Sequence, residues 1–240
     1  MLTPARRRGI EILDDPNVDP AVRERSIRDV TRSNRWLGGL RAAVNEADAA
    51  LREIATGTQP AMLLDVGTGL GDVPAAAAAR AAARDTPIIT IGVDEAASLL
   101  RSARSRLTHV VCANALALPF RDHAIDVVMC SQVLHHFEDE NAERLLREMD
   151  RVARHAVVVA DLRRSWFAAI GFWLVSFPMR FHRVTRHDGV VSVLRGFTPA
   201  DLRRLVRNAT GVAPRIRHWL GYRLTARWTP RATAPLEATR

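Results

Sequence analysis

The stretch Leu63-Leu64-Asp65-Val66-Gly67-Thr68-Gly69-Leu70-Gly71-Asp72 limits what this chain can fold into more than any other. A short apolar run enters glycines at alternate positions and leaves into an alanine-rich segment of helical character. Glycine permits the sharp turn between strand and helix, and it keeps side chains away from a ligand lying across the strand ends. Short apolar runs then recur between helical segments. Strands are expected at 61–66, 88–93, 108–112, 124–130 and 156–160, with helices at 73–84, 96–104 and 141–152. Strands and helices alternating at this spacing predict parallel βαβ units. Residues 215–228 alternate around Gly221 and predict an antiparallel hairpin. The expected fold class is α/β: a Rossmann-like, doubly wound, mostly parallel seven-stranded sheet ending in that hairpin.

The glycine spacing is G-x-G-x-G. Asp72 stands where a dinucleotide fingerprint has its third glycine, and an acid there would repel a pyrophosphate at a helix N-terminus. Asp65 adds a second negative group, suited to a cationic ligand. Asp94 ends the second strand, where a carboxylate can accept hydrogen bonds from ribose hydroxyls. Together these features predict an adenosine-type cofactor.

Outside this core, residues 16–19 read as a turn, and 20–55 carry apolar residues at helical spacing, giving two or three helices broken near Gly38-Gly39. Residues 57–60 read as a linker. After Asp161 the alternation stops: an apolar helix is expected over 166–181, then a polar stretch over 183–189. Thr198-Pro199-Ala200-Asp201 has the residues of a helix start, with Thr198 as N-cap. The tail, 229–240, is expected to be disordered.

All 35 basic residues are arginine, and they are unevenly placed. Residues 1–161 hold 20 arginines against 23 acids, whereas 162–240 hold 15 against 3. A basic C-terminal third suits an anionic substrate, a membrane surface or nucleic acid, and equally a solvated face. Cys112 and Cys130 both sit in apolar runs, so buried, reduced thiols and a cytoplasmic setting are expected. No apolar stretch follows the basic N-terminus, which argues against a signal peptide. The apolar run at 166–177 is shorter than the roughly 20 residues a bilayer requires.

Three ordered runs, LLDVGTGLGD (63–72), IGVDEA (91–96) and CANALALPFRDHAIDVVMCSQVLHHF (112–137), resemble class I S-adenosylmethionine-dependent methyltransferases. The nearest branch modifies quinones, phenols and other small molecules, and the resemblance covers about residues 60–162. It implies S-adenosyl-L-methionine as cofactor. Asp65, Gly67, Thr68 and Gly69 would lie against its methionine half, Asp94 would hold the ribose, and Asn114 and Ala115 would face the adenine. Family members often carry Asp where this chain has Asn114. Ser131 and Gln132 would flank the methionyl moiety, and Asn34-Arg35 is a candidate anchor for its carboxylate. By the same resemblance, residues 1–58 form a helical lid and 59–228 the methyltransferase core, with a substrate-cap insertion at 163–197.

Transfer to a hydroxyl calls for a base that titrates near neutrality, which suits histidine. His135 and His136, after the fourth strand, are the first candidates. His187, in the segment after the fifth strand, is another, and Asp161 could orient a base. No His/Cys spacing suggests a metal site, and no G-x-S-x-G turn suggests a hydrolase. Aromatic residues concentrate at 166–181, which points to a hydrophobic acceptor, a membrane surface or a dimer partner. The leading expectation is O-methylation of a hydrophobic aromatic or polyketide-like small molecule by a monomer or homodimer. The alternatives are C-methylation of a prenylated quinol at the membrane surface and RNA methylation through the basic C-terminal third, with a non-catalytic cofactor-binding scaffold as a further class. No RNA-binding module is recognisable, so nucleic acid is not the expected partner.

Overall fold

A computed structural model describes residues 3–7, 9–15, 17–54 and 59–231 of the chain. Two helices open it. α1 (Pro20–Trp36) is capped by the Asp19 carboxylate, which accepts from the amides of Ala21 and Val22. α2 (Gly39–Glu53) begins at Gly38, whose φ of 81° breaks the two helices apart where the sequence predicts. Pro16 and residues 57–58 of the expected linker lie outside the described residues.

The central sheet comprises β1 (Met62–Val66), β2 (Ile89–Asp94), β3 (His109–Cys112), β4 (Ile125–Ser131), β5 (Ala153–Leu162), β6 (Arg215–Trp219) and β7 (Arg223–Trp228). Their order is β3-β2-β1-β4-β5-β7-β6. The first five pair in parallel, and β7 runs antiparallel to both β5 and β6. This is the seven-stranded, doubly wound sheet with a C-terminal hairpin that the sequence predicts. Helices α3 (Asp72–Ala82), α4 (Ala97–Ala103) and α5 (Asp139–Val152) make the crossovers.

Both faces of the central strands are covered, which is why β1, β4 and β5 read as continuous apolar runs. Leu63, Val127, Met129 and Val158 pack against Ala43, Ala47 and Leu51 of α2 and Ala77 of α3. Their neighbours Leu64, Val128, Cys130, Val157 and Val159 face the other way, toward Leu145, Leu146 and Met149 of α5. They share that layer with Leu202 and Leu205 of α8 (Pro199–Thr210). α8 starts with the cap the sequence predicts: Thr198 Oγ1 accepts from the Asp201 amide, and Asp201 accepts from the Thr198 amide.

The insertion after β5 differs from expectation. The apolar helix α6 is shorter, Trp166–Ser176, and the stretch read as polar and non-helical begins a second helix, α7 (Arg183–Arg195). No single apolar stripe marks α7, because it is packed on several sides by α6, α1 and the N-terminal segment. Phe172 of α6 rests on Gly189, where an added Cβ would come within 2.1 Å of the ring. Cys112, expected to be buried, is exposed because β3 is an edge strand, whereas Cys130 is buried. Of the tail, residues 229–231 are described, with Arg231 donating to the Gly211 carbonyl; 232–240 lie outside the described residues.

Candidate active site

Strand order reverses between β1 and β4, and the crevice at such a switch point is where open α/β sheets take their ligands. A cavity of about 440 Å³ opens there. Segments distant in sequence wall it: the β1–α3 loop, the end of β4 with the turn after it, α1 and the N-terminal residues Glu11 to Asp14, together with Ala96, Ser98 and Leu99 after β2, Leu162 and Ser192. Asp65, Gly67, Thr68, Gly69, Ser131, Gln132, His135 and His136 all line it, so the structure brings most of the sequence-derived candidates together.

The glycine loop is fixed from below. The amides of Gly67 and Thr68 donate to the Val93 carbonyl at 2.8 and 2.9 Å. Asp94 then clamps the next turn: its carboxylate accepts from the Gly69 amide and the Ala96 amide, both at 2.9 Å. Gly67 has φ 71°, and a Cβ there would come within 2.4 Å of Val133. Gly69 has φ 54° with nothing within 4 Å of a built Cβ, so its missing side chain leaves open space.

Asp65 is buried, and one carboxylate oxygen accepts from the Thr68 hydroxyl at 3.0 Å. Its other oxygen, Oδ1, has no partner. Burial pushes its pKa up to about 7, the Thr68 hydrogen bond works against the rise, and Asp94 adds to it. An orphaned buried carboxylate oxygen at the edge of a cavity fits a cationic ligand, as the ammonium of a methionine moiety would be.

At the end of β4, Gln132 carries a positive φ of 57°, uncommon outside glycine, while its amide donates to Ala160. The next turn presents the two histidines. His135 is buried, and its Nδ1 lies 2.7 Å from Asp161 Oδ1. Burial acts to raise the Asp161 pKa. The His135 contacts, the Leu162 amide and the His136 charge outweigh it and hold the carboxylate below its usual value. Ionised Asp161 therefore accepts from Nδ1–H, which leaves Nε2 of His135 as the proton acceptor.

His136 sits beside a second acidic pair. Its Nδ1 lies 3.7 Å from Asp14 and 4.0 Å from Glu11. Burial works to lower its pKa, but the adjacent Asp14 carboxylate and the other surrounding carboxylates raise it. In return, the neighbouring His136 ring takes Asp14 down to about 2, with Arg195 assisting and burial opposing. Glu11 is held by the Ser192 hydroxyl at 2.7 Å and by Arg195 at 3.1 Å. Glu11, His135 and His136 offer ligand atoms within 4.8 Å of one another, so these three residues could also hold a cation. Sequence spacing hid this cluster, because Glu11 comes from the other end of the chain.

Five candidates do not line the cavity, Asp94 beneath the glycine loop being one. Arg35 is exposed on α1, and its neighbour Asn34 lines the cavity instead. Asn114 is exposed with Oδ1 accepting from the Leu116 amide, and neither it nor Ala115 reaches the cavity wall. His187 lies on α7, bonded to Asp188 at 2.8 Å, and faces a separate groove because the segment that carries it is helical.

Sequence reasoning missed Arg223 on β7. It is buried, its Nε has no partner, and burial lowers its pKa to about 10 against the pull of Asp161. A Cβ on Gly39 would meet Gln132 Nε2, Arg223 Nε and Asn34 Oδ1 at 3.0, 3.1 and 3.2 Å, so three polar groups converge on a position with no side chain.

A seven-stranded sheet of this order, with a glycine loop and a strand-end acid at its switch point, has the fold of the class I S-adenosylmethionine-dependent methyltransferases that the sequence resembles. Residues 64–160 match the family model described as a methyltransferase domain. Among solved structures, magnesium protoporphyrin IX methyltransferase from Synechocystis PCC 6803 aligns with TM-score 0.52 and 14% identity, covering 92% of this chain and 89% of that one. The plantazolicin methyltransferase BpumL aligns with TM-score 0.61 and 14% identity, covering 81% and 71%. A possible histamine N-methyltransferase from Thermotoga maritima aligns with TM-score 0.56 and 18% identity, covering 88% and 100%. Among curated proteins, "Probable tRNA methyltransferase 9B" of Bos taurus is 38% identical over 69 residues. That match takes in 28% of this chain and 15% of the relative's length.

Proposed function

We propose that the chain methylates a hydroxyl of a hydrophobic aromatic or polyketide-like small molecule, with His135 as general base. The observation that carries this reading is the buried His135–Asp161 pair, 2.7 Å apart, on the wall of the cavity that holds the glycine loop. When bound, the cofactor supplies a methyl group already activated on a sulfonium. Asp65 Oδ1 then meets the cofactor's ammonium, and the polar groups around Gly39, from Asn34, Gln132 and Arg223, take its carboxylate in place of Arg35. Asp94 remains the holder of the ribose and Asn114-Ala115 the edge of the adenine site. On the acceptor side, Nε2 of His135 removes the hydroxyl proton while Asp161 fixes the ring. His136, whose pKa Asp14 and Glu11 raise against burial, faces the oxyanion as it forms. Leu13, Ile27, Val30 and Leu162 supply apolar walls for the acceptor.

The same base would generate a carbon nucleophile from a quinol, so C-methylation shares this machinery. The fold is shared with magnesium protoporphyrin IX methyltransferase and the plantazolicin methyltransferase BpumL, which agrees with a small-molecule acceptor. RNA methylation is the second reading, favoured by the tRNA methyltransferase relatives and the arginine-rich C-terminal third. The deciding experiment offers phenols, alkyl quinols and transfer RNA to the enzyme with radiolabelled cofactor. Label on the oxygen of a phenolic acceptor, lost in His135→Gln, supports the proposal. Label on RNA alone rejects it.

A further inference from the structure

Beyond the reaction itself, we propose that α6 docks the protein on an anionic lipid bilayer, with the adjoining arginine-lined groove receiving a phosphate headgroup. This rests on the methyltransferase reading only in that it says where a hydrophobic acceptor would be met. Only Ala168, Ala169 and Ser176 of α6 are buried, and the two alanines pack on Val193 and Leu194 of α7. The opposite face is unpartnered: Phe167 is 64% exposed, Ile170 and Leu174 each 55%, and Trp173 47%. Exposed apolar area this concentrated marks an interaction surface. At 11 residues α6 extends about 16 Å, and among the described residues no helix is long and apolar enough to cross a membrane. An apolar helix too short to span, carrying tryptophan and edged by arginine, fits the plane of a bilayer interface.

Charge decides among occupants. Residues 162–196 carry six arginines and one acid, Asp188. Arg164 and Arg195 are paired with Asp201 and with Glu11 and Asp14, which leaves Arg163, Arg180, Arg183 and Arg186 to charge the surface. Asp188 is buried and accepts from the amides of Ile12 and Leu13, so it does not offset the surface charge. Beside α6, a groove of about 500 Å³ is lined by Arg7, Arg183, Arg186 and His187 over the apolar floor of Val190 and Leu194. The Arg7 guanidinium lies 5.4 Å over Trp166 and that of Arg186 3.8 Å over Phe177, so aromatic faces accompany these cations. A second copy docked through the same face would bring these arginines against their own counterparts. An anionic headgroup layer instead meets both the apolar face and the charge.

Flotation with phosphatidylcholine vesicles, with and without phosphatidylglycerol, tests this, with inorganic phosphate as a competitor for the groove. The wild-type chain is expected to float with the phosphatidylglycerol vesicles, and Phe167→Glu with Leu174→Glu to reduce binding by more than tenfold. Arg183→Gln is expected to leave about one-fifth of the affinity. Competition by phosphate together with vesicle binding would place the headgroup in the groove. Phosphate binding without flotation would overturn membrane docking and leave an anion site. Loss of a dimer in the same apolar variants, by light scattering, would give the face to a second copy and also overturn it. Binding of S-adenosylhomocysteine by calorimetry must be unchanged in every variant, which separates failure of docking from failure of the fold or of the methyltransferase reading.

Discussion

The proposed contact of Asp65 with the cofactor's ammonium predicts a pH-dependent affinity whose direction can be worked out. Its pKa is raised to about 7 by burial, so below neutrality it is mostly protonated in the free protein. A cofactor ammonium selects the carboxylate, so affinity follows the ionised fraction. That fraction is about nine-tenths at pH 8 and about one-tenth at pH 6, a tenfold difference worth about 1.4 kcal/mol. Titration calorimetry with S-adenosylhomocysteine across pH 5.5–8.5 reads this directly. Asp65→Asn, which keeps an acceptor for Thr68, should bind more weakly at pH 8 and lose this pH dependence. Stability should move the other way. A carboxyl whose folded pKa lies above its unfolded value, here about 7 against 3.8, costs stability progressively as pH rises between the two. At pH 8 the cost approaches about 4 kcal/mol, so the cofactor-free Asp65→Asn protein should melt higher than wild type there and lose that advantage near pH 4. A flat affinity profile for wild type, or the same slope in Asp65→Asn, would refute the assignment of Asp65 to the ammonium.

The His135–Asp161 pair predicts that His135→Gln and Asp161→Asn each lower single-turnover rates by about 10²–10⁴-fold with cofactor affinity unchanged; rapid-quench assays at saturating acceptor provide the check. Gly67→Ala meets Val133 and a left-handed backbone, so thermal melts should show a loss of more than about 1 kcal/mol. Gly69→Ala bears only the backbone strain in the fold, and its main loss should appear as weaker S-adenosylhomocysteine binding. Arg223→Met removes a charge with an unpaired buried Nε, so the chain should remain folded by circular dichroism while cofactor affinity falls at least about tenfold. Finally, with an imidazole as base, dialysis against a chelator should leave turnover intact. Loss restored by one divalent metal would make Glu11, His135 and His136 a metal centre and remove His135 from the role of base.

The features legible in the sequence are those whose cause is local. Alternate glycines after an apolar run, an acid at the end of the next strand and Thr198 three residues before Asp201 each act through the backbone nearby, and each stands where it was expected. The amphipathic stripe of Ala142, Leu145, Leu146, Met149 and Val152 likewise marked α5. What escaped depends on contacts between distant segments. α7 lacks a stripe because several partners share its surface. Arg223 looks like any strand arginine until α1, α2 and the turn after β4 close around it. His135 and His136 look equivalent in sequence, yet a buried carboxylate 26 residues on claims one and two N-terminal acids claim the other.

That last division ties the cavity at the switch point to the helical insertion. Glu11 and Asp14 reach His136 only because α7 holds the N-terminal segment in place. Asp188 accepts from the amides of Ile12 and Leu13, Ser192 and Arg195 bind Glu11, and Arg195 also donates to the Gly9 carbonyl and pairs with Asp14. The raised pKa of His136 is thus a property of the α7 contact rather than of the histidine turn itself. α7 in turn packs on α6 through Val193 and Leu194. A shift of α6 on a lipid surface would therefore be carried through one helix to the two carboxylates that raise the His136 pKa, with the glycine loop left outside that path. Arg195→Met separates the two halves: it should lower the His136 pKa, as followed by imidazole NMR, without changing S-adenosylhomocysteine affinity. An unchanged His136 titration in that variant would mean that the histidine turn sets its own charge.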